Sequence, residues 1–159
     1  MSWRGSTTAK ERIFACLPYL LPLIEGLMFG RFLFQQVPAV ELLFRPIIPI
    51  FLLYNSIPFA GLIVFFALFL LVVRNESIAH FIRFNTLQAI LIDIVLILCS
   101  LVLQLIVQPL PGTGFAVEIL SNTIFLGLVA AVVYAVVQSA IGRYAEIPAI
   151  SDAVHMQVR

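Results

Sequence analysis

The sequence predicts an all-α, polytopic membrane protein with four transmembrane helices and a short interfacial helix or broken segment after the first. Three observations carry that prediction. Of 159 residues, 62% are hydrophobic and only 11% charged, against about 25% charged in an ordinary soluble domain. Mean hydropathy is +1.12, more apolar surface than one small soluble domain can bury, so hydrocarbon must serve as part of the solvent. The apolar residues also gather in four windows, 13–34, 50–73, 87–107 and 117–141, each near the roughly 20 residues a helix needs to cross a bilayer. A soluble enzyme, a disordered linker and a secreted mini-protein are excluded.

Each window has its own local logic. The polar segment 1–12, with Arg4 and Lys10, leads into the first window. This start resembles a signal peptide, but the run continues to Phe34 with no convincing small-residue cleavage site, so it reads as a retained span; no transit peptide precedes it. Within it Pro18, Pro22, Gly26 and Gly30 recur every four residues. They form a smooth stripe suited to close packing by another helix of the same chain, and the prolines are expected to kink the helix before Glu25. Arg45, Pro46, Pro49, Asn55, Ser56 and Pro58 interrupt the second apolar stretch. The expectation there is an interfacial helix near 37–44, an irregular lead-in and a clean helix over 58–73, with a re-entrant element at 47–54 left open. The loop 108–116 between the last two windows carries no charge; its LPGTG spelling, 110–114, matches a sortase signal but reads as a turn.

Charge sets the orientation. With four spans, Arg4, Lys10, Arg12, Arg74, Arg83, Arg143 and Arg159 fall on one face, and only Arg31 and Arg45 on the other. Lys and Arg in short flanks are retained on the cytoplasmic side during insertion. The segments 1–12 and 142–159 are therefore expected there, flanking a membrane domain over 13–141.

Ionisable groups at mid-bilayer cost about 2.5–3.5 kcal/mol each on insertion scales, so Glu25 and Asp93 need a reason. Counted along their helices they reach similar depth and can face one another, or each can bond separately to backbone or a hydroxyl. On the third span Asp93, Ser100 and Gln104 lie within about 40° of one another, with Asn85 at the edge of the stripe. Such a side is expected to face the bundle interior, a partner helix or a wet groove. One reading is interhelical bonding to Ser121, Asn122 or Thr123; the other is a hydrophilic path. Cys16 and Cys99 sit in apolar stretches without a ligand-spaced neighbour, and His80 and His155 are the only histidines. No metal, cofactor or nucleic-acid partner is therefore expected, and the motifs of catalysis are missing.

The stretch IAHFIRFNTLQAILID, from Ile78 to Asp93, is the most specific feature of the chain. Its RFNxxQA motif entering a membrane helix, preceded by a span carrying YLLPLIE from Tyr19 to Glu25, resembles the family of the twenty-kilodalton subunit of the translocon at the chloroplast inner envelope. The likeness covers almost the whole chain. It implies a core membrane component of preprotein import into plastids, in the inner envelope or in a cyanobacterial plasma or thylakoid membrane, with both termini stromal or cytoplasmic. The implied partners are other translocon subunits, further copies of the chain and unfolded polypeptide. The missing transit peptide points to a cyanobacterial or plastid-encoded member. The motif carries over to Arg83, Asn85 and Gln88. Read physically, Arg83 anchors at the headgroups, while Asn85 and Gln88 share a helical face and fix the helix entrance by hydrogen bonds.

The first functional expectation is thus a non-enzymatic translocation subunit in which Glu25 and the polar side of the third span line a groove. A structural or assembly subunit, whose buried polar groups only join helices, is the alternative. A small-solute or proton carrier is the third class, and it requires a coupled acid pair.

Overall fold

The computed structural model describes residues 7–148 and 150–158, and among these every regular element is helical. Arg4 and Arg159, two of the cations used for orientation, lie outside the described residues. Four helices are long and apolar enough to cross a membrane: α1 (Ala9–Gln36), α2 (Pro38–Ser56), α4 (His80–Val107) and α5 (Gly114–Ala140). A shorter apolar helix, α3 (Ala60–Val73), and a C-terminal one, α6 (Ile150–Gln157), complete the order.

Helix α1 starts at a reciprocal cap in which the Glu11 amide donates to Thr8 Oγ1 at 3.2 Å and the Thr8 amide donates to Glu11 Oε2 at 3.1 Å. It tightens into 3₁₀ turns at Leu17–Tyr19, which holds Pro18, and at Leu27–Gly30. The prolines thus sit within the helix without ending it, Pro18 in a tightened turn and Pro22 in a regular one. The glycines pack within the chain: Gly26 lies under Leu128 and Gly30 under Phe125, both on α5.

The second passage keeps the expected short helix at Pro38–Phe44 and apolar helix at Ala60–Val73, but the lead-in between them is a 3₁₀ turn and a helix, Ile48–Ser56, rather than irregular chain. Helix α2 begins at Pro38, and Pro46 and Pro49 sit in the first turn of successive helical pieces, where the missing N–H has no intrahelical partner to lose. The break falls later. Ile57, forced extended by Pro58 (φ −95°, ψ 120°), is followed by Phe59 in the left-handed region at φ 59°, and α3 starts after it. Phe44 packs against Phe34 and Phe125 at one end of the bundle, Tyr54 meets Glu25 midway, and the Val73 carbonyl meets Arg83 at the other end. Helices α2 and α3 therefore make one passage in two pieces. The passages number four, and Thr7 comes to lie beside Gly142 after α5. We call this the proximal end, and the end holding Gln36 and Pro109 the distal end.

Helix α4 is the hub. Its proximal turns, Arg83 to Ile90, are buried on all sides by α1, α3, α5 and α6. The segment after α5, expected to be a tail, folds back onto the domain. Val154 and Val158 pack with Phe84, Leu87, Ile90 and Val73, Tyr144 stands edge-on to Phe81 and Phe84, and His80 bonds both the Tyr144 hydroxyl at 2.9 Å and the Val158 carbonyl at 3.2 Å. Beyond the hub, α4 and α3 each end in a π turn, at Leu103–Val107 and Phe69–Val73. At the distal end the LPGTG stretch forms the turn into α5, with Gly112 at φ 76° and the Thr113 hydroxyl donating to the Val107 and Leu110 carbonyls.

Candidate functional site

Two of the three motif residues share one buried network. Asn85, fully buried, accepts at Oδ1 from the Tyr19 hydroxyl at 2.7 Å and the Ser139 hydroxyl at 2.9 Å, and donates from Nδ2 to the Phe81 carbonyl at 2.8 Å. Gln88, one turn on and equally buried, donates from Nε2 to the Tyr19 oxygen and to the Ala145 carbonyl, both at 2.9 Å. Side chains from α1, α4 and α5 and the backbone beyond α5 are thus joined at one point. In a medium without water these bonds take the place of solvation, and each partner left single would carry a desolvation penalty. Arg83 makes a different join, donating from Nε to the Val73 carbonyl at 2.9 Å and so tying α4 to the end of α3. It is buried rather than reaching out to the headgroups.

The sequence reading placed Asn85 and Gln88 on one face but missed Tyr19 and Ser139 as their partners. A tyrosine inside an apolar span is itself a signal, because its hydroxyl must find a mate there. Ser139 offers no comparable signal.

Glu25 and Asp93 sit on stretches of α1 and α4 that pack together. Glu25 Oε1 accepts from the Tyr54 hydroxyl of α2, a partner the sequence did not indicate. Asp93 is 2% exposed. Its Oδ1 has no hydrogen-bond partner.

The remaining stripe divides between the alternatives the sequence left open. Asn85 and Asp93 face the interior, but Ser100 is only half-buried and Gln104 is exposed, because α2 stands off from α4 in the distal half. Gln104 donates to Ser100 on its own helix at 2.8 Å. The anticipated bonds to α5 are not made among the described residues: Asn122 instead donates to Gln36 of α1 at 3.3 Å, and Thr123 to the Ile119 carbonyl of its own helix. Gln36 in turn donates to Glu118.

What fills this gap is a cleft of about 620 Å³, whose polar lining is Arg31, Glu41, Ser100, Gln104, Gln108 and Ser121. A hollow of about 400 Å³ shares Arg31 and Gln108 with it and reaches the LPGTG turn. A smaller one, about 100 Å³, shares Ser100 and reaches Glu25. Together they trace a furrow, apolar-walled but dotted with polar groups, from the distal loop to Glu25.

Comparison with known proteins adds the family. The model of the family described as "Chloroplast import apparatus Tic20-like" matches residues 8–154. The chain belongs to the Tic20 family. It is 48% identical to a Tic20 family protein of Synechocystis sp. over all of this chain and 99% of the relative. It is 40% identical to Protein TIC 20-II, chloroplastic, of Arabidopsis thaliana over 96% of this chain and 74% of that one. To the Tic20 family protein Ycf60 of Pyropia yezoensis it is 33% identical over 97% and 78%. The Tic20 match takes in the buried network from Tyr19 to Ala145 and the whole of the furrow.

Proposed function

We propose that this Tic20-family chain is a non-enzymatic membrane subunit of a protein-translocation complex, and that its distal furrow receives an unfolded stretch of polypeptide. The observation that carries this reading is the exposure of Gln104, and the partial exposure of Ser100, at membrane depth in a cleft whose mainly apolar walls also carry Arg31, Glu41, Gln108 and Ser121. Acyl chains cannot satisfy those groups, so the cleft demands water or a polar occupant, and extended peptide brings its own donors and acceptors. One wall, α2, is thin and largely exposed, so a further subunit or a second copy is needed to enclose the path. The proximal end, with Lys10, Arg12, Arg74 and Arg143, faces the stroma or cytoplasm. Photo-crosslinkers at Ser100, Gln104 and Gln108 should capture a transiting chain, while Leu98 and Leu105, exposed on the same helix, should not. Equal capture from the leucines would defeat the proposal.

One observation favours a purely structural role for part of the molecule: Asn85 and Gln88 are enclosed and engaged internally. The two readings part at Asp93. If Asp93 only joins helices, Asp93→Asn keeps both the folded yield and the transport rate, and Asp93→Leu lowers the yield. If it serves the path as an acid, a stable Asp93→Asn variant loses transport, by about tenfold or more for a charge in a desolvated site.

A further inference from the structure

In the proximal half of the bundle, beyond the Glu25–Tyr54 pair from the furrow, lies a second cavity of about 350 Å³. Phe14, Leu17 and Ile24 of α1 form one wall, Val64 and Leu68 of α3 the other, and Ile82 of α4 lies between them. Its few polar groups are already engaged: the Thr86 hydroxyl donates to the Ile82 carbonyl at 2.8 Å, and the Tyr54 hydroxyl is turned to Glu25. Only an apolar occupant fits. The rise from Phe14 to Ile24 is about 15 Å, half of a hydrocarbon core of about 30 Å. The groove therefore runs from the proximal interface to the midplane, the depth of one leaflet, and stops at the Glu25–Tyr54 pair.

Two exposed cations flank its proximal end, with Glu11 and Glu76 their nearest acids in the sequence. Lys10 Nζ stands 5.9 Å from the centroid of the Phe14 ring, and Arg74 follows the last turn of α3, which brings Val72 to the groove. Both cations are exposed, and neither forms an ion pair among the described residues. We propose that this groove binds one acyl chain of an anionic membrane lipid, with Lys10 and Arg74 holding the headgroup. Two basic side chains at the mouth favour an anionic over a zwitterionic head. Size excludes a partner helix, since a helical segment of this length occupies about 1,200 Å³.

The test is native mass spectrometry of the full chain released from mixed micelles holding phosphatidylglycerol and phosphatidylcholine in equal amounts. Phosphatidylglycerol should be retained preferentially. The double variant Lys10→Gln, Arg74→Gln, altered only at exposed positions, should lose that preference by about tenfold, and Leu68→Trp, which fills the groove, should lower retention of both lipids while circular dichroism stays helical. Equal retention of the two lipids by the unaltered chain, or a preference untouched by the double variant, would overturn the proposal. So would a disulfide-linked dimer formed through Leu68→Cys, which would assign the groove to a second copy.

Discussion

Replacing Asn85 by leucine should cost about 2–4 kcal/mol of stability, because two buried hydroxyls lose their acceptor at once. Tyr19 and Ser139 both donate to Asn85 Oδ1, and both are fully buried. Tyr19→Phe is the informative contrast. It removes the donor to Asn85 and one acceptor of Gln88 but leaves Asn85 paired with Ser139 and Gln88 paired with the Ala145 carbonyl, so about 1–2 kcal/mol is expected. Reversible unfolding in bicelles, followed by steric trapping, measures both. A leucine variant as stable as the parent would mean that the network does not hold α1, α4 and α5 together.

The second large effect is expected at Gly30. A β-carbon there would stand 2.9 Å from both Phe125 Cε2 and Phe34 Cζ. Those rings are themselves locked edge to face at 5.4 Å, with Phe44 against each of them. None can rotate without disturbing the others. Gly30→Val should therefore lose about 1–3 kcal/mol through overpacking and open the distal contact between α1 and α5. Gly26→Ala meets Leu128 Cδ2 more closely, at 1.9 Å, yet a leucine methyl can swing to another rotamer, so the milder loss belongs there. Gly127, with open space around it, is the control: Gly127→Ala should be neutral or gain up to about 1 kcal/mol from helix propensity. If Gly30→Val is no worse than Gly26→Ala, the ring cluster is not the rigid element described.

The glycine stripe shows how far pattern reading reaches. Spacing alone put Gly26 and Gly30 on one face and assigned that face to packing within the chain; it could not name Leu128 and Phe125 as what they meet. Asn85 and Gln88 follow the same rule, since their three-residue separation guarantees a shared face, but Tyr19 and Ser139 come from helices whose rotation is not written in either segment. The second passage was legible only in part: its short first helix and its last helix were expected, its helical lead-in was not. Counting Pro46 and Pro49 as breakers ignored that proline is tolerated in a first turn, and the actual break came from Pro58 acting on Ile57, with Phe59 absorbing the reversal.

Composition and hydropathy by themselves determined the solvent of this protein, its helical class and its number of passages, because a backbone in hydrocarbon must satisfy its own hydrogen bonds and helices do so locally. The motif residues likewise announced their family before any coordinate. Which side chains meet was settled only in three dimensions. Helix rotation and separation depend on packing among distant segments, and that packing closed α4 around Asn85 and Gln88 in one half while leaving Ser100 and Gln104 open to a furrow in the other.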